Sequence, residues 1–168
     1  MTNIEIIETC IKKMPIAFCG SKSTVTSDVC KTSWCHEFCC KMKDAGVNNI
    51  NNVVDEGGYK IPKSGIGPNL AIPLEGGLYD YDVIIEVEVD IEKSIENIKE
   101  LENMMIKFRP KNGVFILIGY TMEEFINKMR DEELSDDTSA IKEKIHIFTK
   151  DAGGNVEHTI FSKIFNRL

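Results

Sequence analysis

Residues 79–90 read Tyr79-Asp80-Tyr81-Asp82-Val83-Ile84-Ile85-Glu86-Val87-Glu88-Val89-Asp90, and this stretch decides the fold. Apolar and acidic residues alternate along it, which is typical of a β-strand because successive side chains point to opposite faces. One face receives Tyr79, Tyr81, Val83, Ile85, Val87 and Val89. The other face receives Asp80, Asp82, Ile84, Glu86, Glu88 and Asp90. The pattern therefore predicts a strand over residues 79–89 that carries acidic side chains on one face.

These carboxylates lie at intervals of roughly 7 Å along the strand. Neighbouring pairs repel by about 2–2.5 kcal/mol at an effective dielectric constant of 20, but by only about 0.6 kcal/mol in water. The face is stable in either of two situations. It is solvated, as in an amphipathic edge strand, or it binds a divalent cation. The alternation by itself leaves both interpretations open.

The rest of the chain predicts helices on both sides of this strand in sequence. Apolar spacing and capping residues predict helices over 3–14, 27–45, 91–108 and from 121 to about 133. Strand candidates are 53–54, 59–61, 70–74, 79–89 and 113–120, followed by a hairpin of 143–149 with 156–161. The helix over 91–108 carries its apolar stripe through Leu101, with Glu100 on the opposite face.

This order, α-α-β-β-β-α-β-α-β-β, predicts one α/β domain over residues 1–168 with a mixed central sheet flanked by helices. Within it, residues 1–46 form an N-terminal helical part, 47–133 the core and 141–168 a C-terminal hairpin.

Composition and charge exclude several classes of protein. The chain has 168 residues, of which 42% are hydrophobic, so it is long and apolar enough for a globular core rather than a disordered chain. No apolar run approaches the roughly 18–20 residues that span a bilayer, and acidic residues near the N-terminus are unlike a secretory signal. We therefore expect a cytoplasmic protein with no membrane partner.

The net charge is −7, and residues 67–140 alone carry −10. This distribution disfavours a basic DNA-binding module, because the middle of the chain repels a polyanion. It permits a metal-dependent enzyme that acts on one, since a bound cation changes the local charge.

Three strands, a helix and a further strand, after an N-terminal helix, resemble the core of the PD-(D/E)XK nuclease superfamily, the restriction-endonuclease-like fold. In that family an acidic residue lies on the second strand and a Glu-x-Lys, or occasionally Glu-x-Glu, on the third. Glu86-Val87-Glu88 is similar to the Glu-x-Glu form, and Pro68-Asn69 lies where the family has Pro-Asp. The resemblance covers roughly residues 3–120 and implies an αβββαβ core with metal-dependent hydrolysis of DNA phosphodiesters.

Two departures from the family pattern weaken the implied site. Asn69 brings an oxygen but no charge, so affinity for Mg²⁺ or Mn²⁺ should fall. The family lysine that orients the attacking water is missing. The resemblance implies Glu86, Glu88 and Asn69 as catalytic residues and metal ligands. The ligand set would be completed by Glu75, or by Glu5 or Glu8 of the first helix, and phosphate contacts would come from Lys60 and Lys63.

Six cysteines lie in the first 40 residues, at positions 10, 19, 30, 35, 39 and 40. The spacing of Cys30, Cys35, Cys39 and Cys40, with His36 beside them, raises a zinc or iron–sulfur site. However, the first three share a helical stripe with apolar residues, where small core residues belong. We therefore expect buried thiols in a reducing compartment rather than zinc or an iron–sulfur cluster, with a redox role as a further alternative.

The sequence supports a second function of a different class. The acidic strand face could meet a protein partner on a non-catalytic binding or regulatory α/β domain, and the negative charge together with Asn69 favours this alternative. The nuclease interpretation implies DNA as the partner, whereas the binding domain implies another protein or a second copy of the chain. His146 and His158, on opposite strands of the final hairpin, are interpreted as a cross-strand surface pair rather than as metal ligands.

Overall fold

Six strands form one mixed sheet in the order β1-β2-β3-β4-β5-β6. The computed structural model describes residues 1–15, 27–52, 68–74, 81–132 and 139–168. The strands are β1 (Asn51–Asn52), β2 (Leu70–Pro73), β3 (Tyr81–Glu88), β4 (Asn112–Ile118), β5 (Ile145–Lys150) and β6 (Val156–Ile160). The helices are α1 (Asn3–Lys13), α2 (Ser27–Asp44), α3 (Ser94–Phe108), α4 (Met122–Arg130), α5 (Ser139–Lys142) and α6 (Phe161–Phe165).

The centre of the sheet is parallel and its flanks are antiparallel. β3, β4 and β5 run in the same direction, with Val83 opposite Asn112 and Gly113 opposite Ile145. β1 and β2 pair antiparallel on one side, and β6 pairs antiparallel with β5 on the other. Parallel neighbours need a crossover connection, and α3 supplies it between β3 and β4, while α4 and α5 supply it between β4 and β5. The predicted α/β class with a mixed sheet is confirmed.

Helices cover both faces of the sheet, and each face has its own apolar core. On one face, the β3 residues Val83, Ile85 and Val87 pack with buried residues of α1 and α2. On the other face, Ile84 of β3 packs with buried residues of α3, α4 and α6. Sheets with parallel strands are commonly buried in this way. None of the described helices is long and apolar enough to cross a membrane.

Of the two interpretations of the acidic face of β3, the solvated one is wrong for Glu86 and Glu88. β3 is an interior strand between β2 and β4, and Glu86 and Glu88 are each only 3% exposed. The alternation assigned these side chains to the correct face, but α3 packs against β3 and covers that face. Of the other acids on it, Asp82 and Asp90 are half-buried, and Asp80 lies outside the described residues. The two buried carboxylates cannot contribute to an exposed acidic interaction face.

Capping chemistry predicted several element ends well. Thr2 and Thr121 each form the capping box with a glutamate three residues on, and Gly46, just after α2, has a φ of 99° that favours glycine. The predicted helix over 91–108 begins with a single 3₁₀ turn, Ile91–Lys93, before α3. The short helices α5 and α6 were not predicted. The strand candidates 53–54 and 59–61 lie outside the described residues.

Leu101 lies at the centre of the apolar stripe of α3 and is fully buried between the helix and the sheet. We expect Leu101→Ala to lower the free energy of unfolding by about 2–5 kcal/mol, because the truncation removes buried methyl groups and leaves a cavity. Urea denaturation followed by circular dichroism measures this loss.

Glu96→Ala is the matched control, since Glu96 is exposed on the same helix and should cost under about 0.5 kcal/mol. Glu100, which the sequence places on the face opposite the apolar stripe, does not serve as the control. It is half-buried, and its charge acts on Glu86. Equal losses for the Leu101 and Glu96 variants would contradict the packing of α3.

Candidate functional site

The carboxyl end of β3 and the residue that precedes β2 meet at one point of the sheet. The backbone N–H of Asn69 donates to Oε1 of Glu86 at 3.1 Å. The side-chain oxygen of Asn69 accepts from the backbone N–H of Val87 at 2.8 Å. The Asn69 side chain thus continues the ladder between β2 and β3 beyond the pair of Leu70 and Ile85. The structure thus brings together Asn69 and Glu86, two residues of the predicted site.

Glu86 is a buried carboxyl group whose surroundings disfavour its charge. Burial is the main cause that raises its pKa, to about 8, and nearby Glu100 and Glu88 raise it further. Lys31 of α2 and the Asn69 N–H act in the opposite direction. No Lys, Arg or His of the described residues forms an ion pair with Glu86. A buried carboxylate is costly without a compensating cation, so this group is protonated near neutral pH or binds one.

Glu88 ends β3 and is held in a fixed orientation by three donors. Its Oε2 accepts from the backbone N–H groups of Val89 at 2.8 Å and Asp90 at 3.0 Å. Its Oε1 accepts from the side-chain amide of Asn97 on α3. These bonds stabilise a buried carboxylate and immobilise it, while Oε1, which accepts from one donor only, keeps a further lone pair for a ligand.

The first-helix acids that were predicted to complete the site are engaged elsewhere. Glu5 accepts the N–H of Thr2 at 2.7 Å as part of the α1 capping box, and Glu8 lies 3.5 Å from Lys12. The hypothesis that Glu5 or Glu8 completes the ligand set is therefore wrong, since α1 packs against α2 and β5 instead. Asp82, near the opposite end of β3, accepts from the Asn3 amide at 2.6 Å. Glu75, Lys60 and Lys63 lie outside the described residues.

Sequence reasoning missed three residues around the site: Asn97, Glu100 and Lys31. Each comes from a helix that packs against β3, and neither the alternation of the strand nor the helix stripe indicates which polar residues face it. Within the described ranges, no three His, Cys, Asp or Glu side chains gather closely enough to hold a metal ion by themselves. A cation at Glu86 and Glu88 would therefore need the Asn69 amide or groups beyond the described residues.

The cysteines divide into three environments. Cys10, Cys35 and Cys39 are buried thiols that pack with Trp34 and other residues of the α1 and α2 core, as predicted. Burial raises the pKa of the Cys10 thiol. Cys40 is an exposed thiol.

Cys30 is the exception to the free-thiol prediction, because it is disulfide-bonded. Disulfides are more typical of oxidising compartments than of the cytoplasm. The cytoplasmic location therefore stays a prediction.

The two hairpin histidines contact each other across β5 and β6. Nδ1 of His146 lies 2.9 Å from Nε2 of His158, while the ring centroids are 5.2 Å apart and the planes differ by 19°. These values describe two nearly coplanar rings that share one hydrogen bond edge to edge. Phe148 stacks on His158 at 4.3 Å. Burial, followed by the charge of His158, lowers the pKa of His146 to about 4. The predicted cross-strand pair is confirmed, with His146 half-buried.

No protein family, curated protein or solved structure matches the chain.

Proposed function

We propose that the chain is a divalent-metal-dependent nuclease that hydrolyses DNA phosphodiesters on a restriction-endonuclease-like core. The observation that carries the proposal is the burial of Glu86 without an ion-pair partner among the described residues, two positions from the equally buried Glu88. An ionised Glu86 on an interior strand lowers stability unless a ligand compensates it, whereas Glu88 already accepts three hydrogen bonds. A hard cation is the ligand that suits carboxylate and amide oxygens.

The order of elements supports the fold part of the proposal. β1, β2 and β3 are consecutive antiparallel neighbours, α3 follows, and β4 returns parallel to β3. With a helix before them, these elements are compatible with the αβββαβ order that the resemblance implies. Asn69 and Glu86 meet across β2 and β3, the two strands on which that family carries its acidic residues.

The residues of the site have separate roles: some would bind the metal ion and others position its ligands. Glu86, Glu88 and the oxygen of Asn69 would hold the ion, and Asn97 keeps the Glu88 carboxylate in place. When bound, a divalent ion polarises the scissile phosphate and lowers the pKa of the attacking water. The charge of Lys31 acts on Glu86 and provides local attraction for a phosphate in a protein of net charge −7. Lys60, Lys63 and Glu75 stay predicted contributors.

The presence of Asn69 where the family has an acid predicts weaker binding of a metal ion. The set of Glu86, Glu88 and Asn69 carries at most two negative charges, and fewer charged ligands bind a hard cation less tightly. No lysine occupies the family position after Val87, because Glu88 stands there. We therefore propose weak metal binding and slow cleavage rather than the full activity of the family.

Metal titration of thermal stability tests the proposal. We expect Mg²⁺ or Mn²⁺ to stabilise the protein by about 2.7 kcal/mol at a hundredfold excess over the dissociation constant. Glu86→Gln and Glu88→Gln should each abolish this gain, because each removes a charged ligand. Glu96→Gln, an exposed change on α3, should retain it.

Asn69→Asp provides the second arm of the test. It supplies the acid that the family pattern expects, so metal binding should tighten and cleavage of DNA should rise. If wild type and Asn69→Asp are both indifferent to Mg²⁺ and Mn²⁺, the nuclease proposal fails and the non-catalytic binding domain takes its place.

A further inference from the structure

An apolar groove lies at the carboxyl end of α3. Glu86 lies toward the other end of the strands. The groove encloses about 340 Å³ and is lined by Met105, Ile106, Arg109, Pro110, Ile141 and Lys144. The groove lies near the start of β3. The backbone N–H of Lys111, just after the groove residues, donates to the carbonyl of Tyr81 there. None of its lining residues belongs to the candidate metal site.

The floor and one wall of the groove are hydrophobic. Met105 and Pro110 are buried, and Ile141 is half-buried. Ile106 is 51% exposed, which makes it one of the few large hydrophobic side chains of the described residues that remain open to solvent. An apolar group that covered Ile106 would remove exposed apolar surface from water, which favours binding.

Two cations flank this apolar surface. The side chains of Arg109 and Lys144 are exposed, and neither has a hydrogen-bond or ion-pair partner in the part of the chain that the structure describes. No carboxylate is among the described residues that line the groove. In a protein of net charge −7, two cations beside a hydrophobic groove, with no ion-pair partner among the described residues, favour an anion that carries an apolar body.

The backbone of Arg109 adds a second observation. It ends α3 with φ 49° and ψ 51°, in the left-handed region where glycine is the favoured residue. An arginine rather than a glycine occupies this position, and its exposed side chain lies at the groove.

We propose that this groove binds a small amphiphile with a linear apolar body and a carboxylate head, the chemistry of a medium-chain fatty acid. The volume is near the lower end of small-molecule sites, which span about 300–1,000 Å³. Arg109 would form the bidentate bonds that guanidinium makes with a carboxylate, and Lys144 would add a second charge. The chain would lie on Met105, Ile106 and Ile141. This inference is independent of the proposed nuclease activity.

Titration of the metal-free full chain with octanoate tests the proposal, followed by the NMR signals of the Met105, Ile106 and Ile141 methyl groups. We expect saturable shifts with octanoate, affinity at least about tenfold weaker with 1-octanol, and no shifts with acetate. Octanol keeps the apolar chain without the charge, and acetate keeps the charge without the chain. Equal binding of octanol and octanoate, or no saturation with octanoate, overturns the proposal.

Variants separate the two cations from general electrostatics. Arg109→Gln and Lys144→Gln should each weaken octanoate binding by about tenfold, because each removes one charged contact. Arg167→Gln, an exposed arginine outside the groove, should leave it unchanged. If Arg109→Gln alters the fold, Lys144→Gln still decides the result. Octanoate affinity unaffected by Lys144→Gln, or lowered equally by Arg167→Gln, contradicts a specific carboxylate site.

Discussion

In metal-free buffer, Glu86→Gln is expected to be more stable than the wild type at about pH 9 and nearly equal to it at about pH 4. The reason is the burial that raises the pKa of Glu86 to about 8 from an ordinary value of 4.5. Between pH 4.5 and about pH 8, Glu86 keeps its proton in the folded protein but has released it in the unfolded chain. The free energy of unfolding of the wild type therefore falls as pH rises through this window.

The size of the effect follows from the separation of the two pKa values. It corresponds to on the order of 4 kcal/mol, which is a large part of the roughly 5–15 kcal/mol of a typical domain. Glutamine keeps the oxygen that accepts the Asn69 N–H but cannot ionise, so the variant should lack this component of the pH dependence. Urea denaturation at several pH values, in the presence of a chelator, measures it.

Glu96→Gln is the control for this prediction, since Glu96 is exposed and its variant should follow the wild type at every pH. Parallel stability curves for wild type and Glu86→Gln would show that Glu86 is not buried as a neutral acid. Saturating Mg²⁺ or Mn²⁺ should remove much of the penalty of the wild type at high pH, because the ion compensates the carboxylate. This comparison links the pH dependence to the metal titration.

The sequence predicted the strands and helices that depend on local pattern. Alternation identified β3 and the side on which Glu86 and Glu88 lie, and capping residues located the start of α1 and α4. The burial of those carboxylates could not be predicted, because the pattern of a strand does not indicate what packs against each face. The same limit applies to Glu100. It lies off the apolar stripe of α3, yet it is half-buried and its charge raises the pKa of Glu86.

Contacts between residues far apart in the chain account for most of what the sequence did not predict. Lys150 on β5 is buried and donates to the carbonyls of Ile11 at 2.9 Å and Met14 at 2.5 Å, at the end of α1. A lysine at the end of a strand indicates no such partner, because the two elements are separated by most of the chain. The contact of Asn97 with Glu88 joins residues only nine positions apart. It too could not be predicted, because it depends on the turn after β3 that brings the helix back over the strand end.

The buried ion pair of Glu102 and Lys142 is another such contact. Nζ of Lys142 lies 2.9 Å from Oε2 of Glu102, and the side chains are only 2% and 11% exposed. The same ammonium lies 5.0 Å from the ring of Phe165 and 5.4 Å from that of Phe161. The pair thus connects α3, α5 and α6, three elements that are distant in the sequence.

We expect Lys142→Met to lower the free energy of unfolding by about 3–5 kcal/mol, because it leaves the Glu102 charge buried without its cation. Urea denaturation measures the loss. Lys128→Met is the matched control: Lys128 forms an ion pair of 2.6 Å with Glu92, whose side chain is 72% exposed. We expect no measurable change there, since exposed pairs contribute little.

The double variant Lys142→Met with Glu102→Leu separates charge from packing. If the loss in the single variant comes from the uncompensated carboxylate, removal of that carboxylate should restore stability to near the wild-type value or above it, as for other buried pairs replaced by apolar residues. If the loss comes from the contacts of the Lys142 stem and ammonium with Phe161 and Phe165, the double variant should stay as unstable as Lys142→Met. We expect restoration, because methionine fills a similar volume, whereas the single variant removes the cation that lies 2.9 Å from the buried Glu102 carboxylate. A double variant no more stable than the single one would contradict the electrostatic account.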